Sequence, residues 1–202
     1  MRWKEFAARE ARLLLVEWQQ RAGSLTFPIP VEDIADLFYH LTIDLSTALP
    51  AGIAGRLYTQ ERILEVQRGD AETRQRFTIA HEIGHYRLHV LIEPLLPHGY
   101  GCMADNLDRE PVETLEALPG FPPLPTASPS FTPDLARRLE IEANTFAAAL
   151  LMPAELIEHA VGELGADVQR LAQHCGVSEQ AMRYRLQQLL FLPPPGPQLT
   201  FL

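Results

Sequence analysis

Apolar residues run from Trp3 to Arg21 too continuously for a solvent-bathed tail, and their helical spacing predicts a first helix there. Pro28 and Pro30 interrupt the pattern, and Val31–Tyr39 reads as a second, short helix. The period then changes. Ile53–Tyr58 and Ile63–Gln67 alternate as two strands joined by a polar turn, predicting a small antiparallel sheet in which Gly55 marks either a bulge or nothing more than a bend. Such a sheet, lying beside the next helix, would offer a free edge to an extended peptide. Helical spacing returns over about Ala71–Val90, with Asp70 as the expected N-cap and no proline before Pro94. Phe77, Ala80, Gly84 and Leu88 form its expected buried stripe. Glycine costs about 1 kcal/mol against alanine inside a helix, so Gly84 points to close approach of another backbone or to a simple packing contact.

Residues 94–133, rich in proline and acids, read as a loop excursion, either a lid or a disordered stretch. A helix rich in alanine and leucine follows from Leu139, stopped by Pro153. Leu171–Ser178 and Glu179–Leu190 read as helix, glycine turn, helix, and Pro193–Pro197 as an extended tail.

The helix over 71–90 carries His81-Glu82-Ile83-Gly84-His85. At 3.6 residues per turn, His81 and His85 stack on one face, where two neutral imidazoles can converge on one metal ion. Zinc is the usual occupant of such a pair, with manganese as the alternative. Glu82 is turned to one side of that face, placed to act as a general base rather than a ligand. A third protein ligand is required. His89 lies roughly 12 Å from His81 along the helix axis, too far to share the ion, and is expected to support the ligands or to pack. Leu88 and Leu91 occupy the places where an extended histidine motif would need glycine and histidine.

The best remaining source is the helix before Pro153. Glu140 and Asn144 share a face, so Glu140 is the expected third ligand and Asn144 its neighbour, accepting a hydrogen bond from the N–H of a ligand imidazole. Glu142 points about 200° away from Glu140 and is expected to face solvent.

The runs Arg-Phe-Thr-Ile-Ala-His-Glu-Ile-Gly-His-Tyr-Arg-Leu-His at 76–89 and Glu-x-x-x-Asn-x-Phe-Ala-Ala-Ala-Leu-Leu-Met-Pro at 140–153 resemble the ImmA/IrrE metallopeptidases, as does the block from Val177 to Leu186. The resemblance implies an α+β fold: a mostly α-helical zincin-like metallopeptidase domain over 1–160, with a small antiparallel sheet. A helix-turn-helix-like appendage would occupy 161–202. It implies His81, His85 and Glu140 as ligands of one zinc ion, Glu82 as catalytic base, and Asn144 where such sites often carry a carboxylate. It further implies a regulatory peptidase that cuts a helix-turn-helix transcriptional repressor, relieving repression in mobile elements or in a stress response. A metal-stabilised partner that sequesters a repressor or antitoxin without cutting it is the alternative.

Composition narrows the partners. The chain has 202 residues, 47% of them hydrophobic, enough to build a core. A net charge of −9 disfavours tracking a phosphate backbone. Within 161–202, Arg170, Arg183 and Arg185 are balanced by Glu163, Asp167 and Glu179, so the terminal helix pair reads as a packing or protein-docking unit rather than a DNA reader. No apolar run is long enough for a membrane span and no secretory layout precedes Arg12, so a cytoplasmic protein is expected. Cys102 and Cys175 offer no disulfide framework, and His98 with Cys102 makes a poor metal pair beside Pro97 and Gly99. An oxyanion-stabilising donor should exist, with Tyr184, Arg183 and His174 as candidates.

Overall fold

A computed structural model describes residues 2–50, 52–96, 100–103 and 132–193. Helix α1 (Arg2–Ala22) buries Ala7, Ala11, Leu14, Leu15 and Trp18, a single stripe at helical spacing. Helix α2 (Val31–Tyr39) starts after Pro30 and ends on His40 in the left-handed region at φ 53°. The His40 N–H donates to the Asp36 carbonyl and closes the last turn.

Four strands follow the order β1-β3-β2-β4: β1 (Thr42–Ser46), β2 (Ile53–Tyr58), β3 (Ile63–Gln67) and β4 (Tyr100–Met103). The expected hairpin is present, with Gly55 opposite Val66 and Tyr58 opposite Ile63 in antiparallel register. The sheet as a whole is mixed, which corrects the expectation of a purely antiparallel one. β1 runs parallel to β3, Thr42 opposite Ile63 and Ser46 opposite Gln67. β2 reverses the chain between them, so the strand before it shares its successor's direction and joins the side of β3 that the hairpin leaves open. The free edges of the described sheet belong to β1 and β4. Register between β2 and β4 shifts between Ile53 and Gly55, a bulge of the kind a glycine marks.

Helix α3 (Glu72–His85) continues without a break into a π-helical segment, Tyr86–Ile92. The expected helix is there, but its last turns are wound wider, with i→i+5 bonding. Asp70 is not its cap. Ala71 holds that position, and the Asp70 carboxylate reaches Arg74 at 3.2 Å instead. Helix α4 (Pro133–Leu151) starts earlier than its apolar run suggests: Thr132 accepts a hydrogen bond from the Leu135 N–H, and proline occupies the first turn.

Helices α5 (Ala154–Leu164), α6 (Val168–Cys175) and α7 (Glu179–Gln188) complete the described chain. Gly176 turns the chain at φ 65°, and Ser178 caps α7 through the Ala181 N–H. Leu171, Cys175, Met182 and Leu186 join the same buried core as Leu14, Ile34, Leu57, Ile83 and Phe146. Two arginines stitch this end down. Arg185 donates to the Met152 carbonyl at 2.9 Å, closing the C-terminus of α4. Arg76 donates to the Ile29 carbonyl at 2.6 Å and lies beneath the Gly176 turn. Among the described residues no helix is long and apolar enough to cross a membrane. His98, most of the excursion, and the tail from Pro194 lie outside the described residues, and with them the His98–Cys102 pair.

Candidate metal centre

The centre is built where α3 crosses α4, and a glycine allows the crossing. A methyl on Gly84 would lie 3.0 Å from Phe146 Cδ1 and 3.3 Å from the Ala143 Cα. The α4 backbone therefore passes directly over the histidine helix, the close approach that Gly84 suggested. Gly55 does the same on the other side: a methyl there would meet Thr78 Cγ2 at 2.5 Å and Glu82 Oε1 at 3.8 Å. β2 is thereby brought against the face of α3 that carries Glu82.

His81, His85 and Glu140 come together, all buried, with one possible ligand atom from each lying within 4.8 Å of the others. His81 Nε2 and His85 Nε2 are 2.9 Å apart. Glu140 Oε2 is 3.5 Å from the first and Glu140 Oε1 3.4 Å from the second. Glu82 is also fully buried but is not one of the three.

The outer hydrogen bonds fix which nitrogens face inward. His81 Nδ1 donates to Asn144 Oδ1 at 2.9 Å, so the neutral ring presents a bare Nε2 to the centre. His89 Nε2 donates to Glu142 Oε2 at 2.9 Å, leaving His89 Nδ1 to accept from His85 Nδ1 at 3.0 Å. His85 Nε2 is then bare as well. Protonation of either ring is strongly opposed. Burial, then the neighbouring His85, lowers His81 to about 4, while burial, then His89, holds His85 well below the usual imidazole value.

Two inward lone pairs and a carboxylate thus face one another in the buried interior. Among the described residues, neither carboxylate oxygen of Glu140 has a hydrogen-bond donor. Such a set repels itself unless a cation sits among its members, and two imidazoles with one carboxylate is a donor set that zinc accepts at about 2.0–2.2 Å. The residues fit a divalent metal.

One expectation fails here. Glu142 does not face solvent; it is fully buried and bonds to His89 and to Arg138 Nε at 2.8 Å. Its side of α4 meets the π-helical segment rather than water. Burial alone would raise its carboxyl, but the bonds from His89 and Arg138 outweigh that and hold it below the ordinary value. Arg138, absent from the sequence reading, bridges Glu142 to Glu93 at 3.0 Å. Its position one turn before Glu142 was the available signal. Tyr184, Arg183 and His174 are exposed on α6 and α7, with the His174 ring edge-on to Phe27, so the structure gives none of them a place in the buried cluster.

Comparison with known proteins bears on the whole arrangement. Residues 23–117 and 124–187 match the model of the IrrE N-terminal-like domain family. The chain is 28% identical, over 186 residues and 90% of its length, to a protein of Deinococcus deserti named radiation response metalloprotease IrrE. It spans about half, 54%, of that relative's length. A Mycobacterium tuberculosis transcriptional regulator shares the fold, with a TM-score of 0.57 at 17% identity, over 93% of this chain and 47% of that one. The match over most of the chain places this protein in the IrrE N-terminal-like domain family.

Proposed function

We propose that this protein is a metal-dependent peptidase that cleaves another protein, with His81, His85 and Glu140 holding one zinc or manganese ion and Glu82 acting as general base. The observation that carries the reading is the inward-facing set of two unprotonated imidazole nitrogens and one carboxylate, with a further buried carboxylate, Glu82, adjacent to His81 and outside that set. The relative's printed name, a metalloprotease, supports the same chemistry. When bound, a divalent ion acidifies water and polarises a carbonyl oxygen.

The chain's own residues divide the remaining work. Asn144 and His89 hold the two imidazoles in the tautomers that turn Nε2 inward. The Glu82 carboxylate takes a proton from the attacking water as its oxygen bonds to the peptide carbon. It then passes that proton to the leaving amine nitrogen as the C–N bond breaks.

The substrate in this proposal is a helix-turn-helix transcriptional repressor, recognised as a protein and cut at one or a few bonds so that repression ends. The net charge of −9 supports a protein partner over duplex DNA. The test is incubation of zinc-loaded protein with candidate repressors, including the product of a neighbouring gene, and mass spectrometry of the fragments. Discrete, chelator-sensitive fragments are expected. Salt-sensitive binding to duplex DNA, with every repressor left intact, would overturn the substrate assignment.

A further inference from the structure

His85 is backed by more than one residue. From its Nδ1 a run of hydrogen bonds passes through His89 Nδ1 at 3.0 Å, His89 Nε2 to Glu142 Oε2 at 2.9 Å, Glu142 Oε1 to Arg138 Nε at 2.8 Å, and Arg138 to Glu93 at 3.0 Å. His89 and Glu142 are completely buried, whereas Arg138 and Glu93 are partly exposed at 37% and 42%. The run thus leads from the interior to the surface, between α3 with its π-helical continuation, which carries His85, His89 and Glu93, and α4, which carries Arg138 and Glu142. His81 has a different support, the neutral amide oxygen of Asn144.

A carboxylate without solvent costs several kcal/mol unless it is paired. A leucine at 142 would fill that space at less expense, so packing alone gives no reason for the glutamate. Its two oxygens each take one donor, His89 from the π-helical segment and Arg138 from one turn earlier on α4. The geometry leaves Glu142 as an acceptor from His89 Nε2, which makes His89 an acceptor from His85, which leaves His85 Nε2 bare. Only this order of protons satisfies all three contacts with neutral rings.

We propose that His89 and Glu142 are positioning residues that act in series on His85, fixing its tautomer and lending it the partial charge of a carboxylate. This rests on the reading of His85 as a metal ligand. The two ligand histidines are therefore unequal: one is polarised by an anion through a second ring, the other only oriented by an amide. Glu142→Gln can keep the bond from His89 Nε2 on its amide oxygen but removes the negative charge and turns an NH2 toward Arg138, so the carboxylate's polarisation of the series is lost.

The experiment measures zinc affinity by chelator competition for the full-length wild type, Glu142→Gln, His89→Phe and the double variant. Each single change is expected to weaken binding by roughly 10–100-fold, the range for outer partners of metal-bound histidines. The double variant should be no weaker than the worse single one, since Glu142 acts only through His89. Additive losses, or unchanged affinity in both single variants, would overturn the proposal. A second measurement needs no variant. Nitrogen-15 spectra of the zinc-loaded wild type should show His89 protonated at Nε2 and bare at Nδ1, and a proton on Nδ1 would likewise overturn it. If the wild type binds no zinc at all, the metal-site reading itself fails, an outcome distinct from the loss of the series alone.

Discussion

Gly84 of α3 lies so close beneath Phe146 of α4 that a single added methyl would come within 3.0 Å of the ring. The two helices that carry the candidate ligands meet at this point. Alanine there would gain about 1 kcal/mol of helix propensity but overpack the crossing by roughly 1–3 kcal/mol. We expect Gly84→Ala to be destabilising by about 1 kcal/mol on balance, and to weaken zinc binding as α4 is pushed away. Denaturant unfolding and chelator competition on the same preparation check this. A more stable variant with unchanged affinity would show that the crossing can relax.

Glu140 and Asn144 should differ sharply when removed. Glu140→Ala deletes a candidate ligand, whereas Asn144→Ala deletes an acceptor for His81 Nδ1. Metal affinity should fall by roughly 10–100-fold for Asn144→Ala and by considerably more for Glu140→Ala. Titration of metal-free protein gives the ranking, and the reverse order would place the third ligand elsewhere.

Glu82→Gln separates metal binding from hydrolysis. The amide keeps the shape of the buried side chain but cannot take the proton of water. Cleavage should drop by about 10²–10⁴-fold, while zinc content stays near that of the wild type. Derepression in cells at the wild-type level, despite lost cleavage, would favour sequestration of the partner over cutting.

Cys175 is fully buried, and burial pushes its thiol up to about 12. A folded value above the unfolded one means that the thiol contributes stability below the ordinary 9.0, which is lost as pH rises toward about 12. In the folded protein at pH 8, iodoacetamide should leave Cys175 unmodified, and denaturant should expose it. Peptide mapping reads the outcome directly; rapid labelling without denaturant would show that α6 opens readily.

Much of this was legible in the chain itself. Periodicity located α2 and the β2–β3 hairpin at their observed bounds, and the four-residue spacing of His81 and His85 predicted their meeting. Glu140 was distinguishable from Glu142 because the two lie on opposite sides of one helix. Periodicity gives such angles but not what waits at each of them, and for Glu142 a buried histidine was there instead of water. β1 escaped notice because its side chains are exposed or half-buried throughout, so no apolar alternation marks it, and its pairing with β3 is parallel and non-local. β4 is four residues long, too short for a pattern. The widened turns after His85 carry no proline or other signal that would distinguish them from ordinary helix.

The candidate ligands stand on two helices packed against each other, and both imidazoles are oriented by hydrogen-bond partners. Their mutual spacing is therefore a property of the folded chain rather than something an arriving ion must impose. The conformational freedom of these side chains is lost during folding, so little ordering remains to oppose metal capture. In the proposed site the scaffold would act as a rigid, preformed chelate, whose grip depends on how stably α3 and α4 stay crossed.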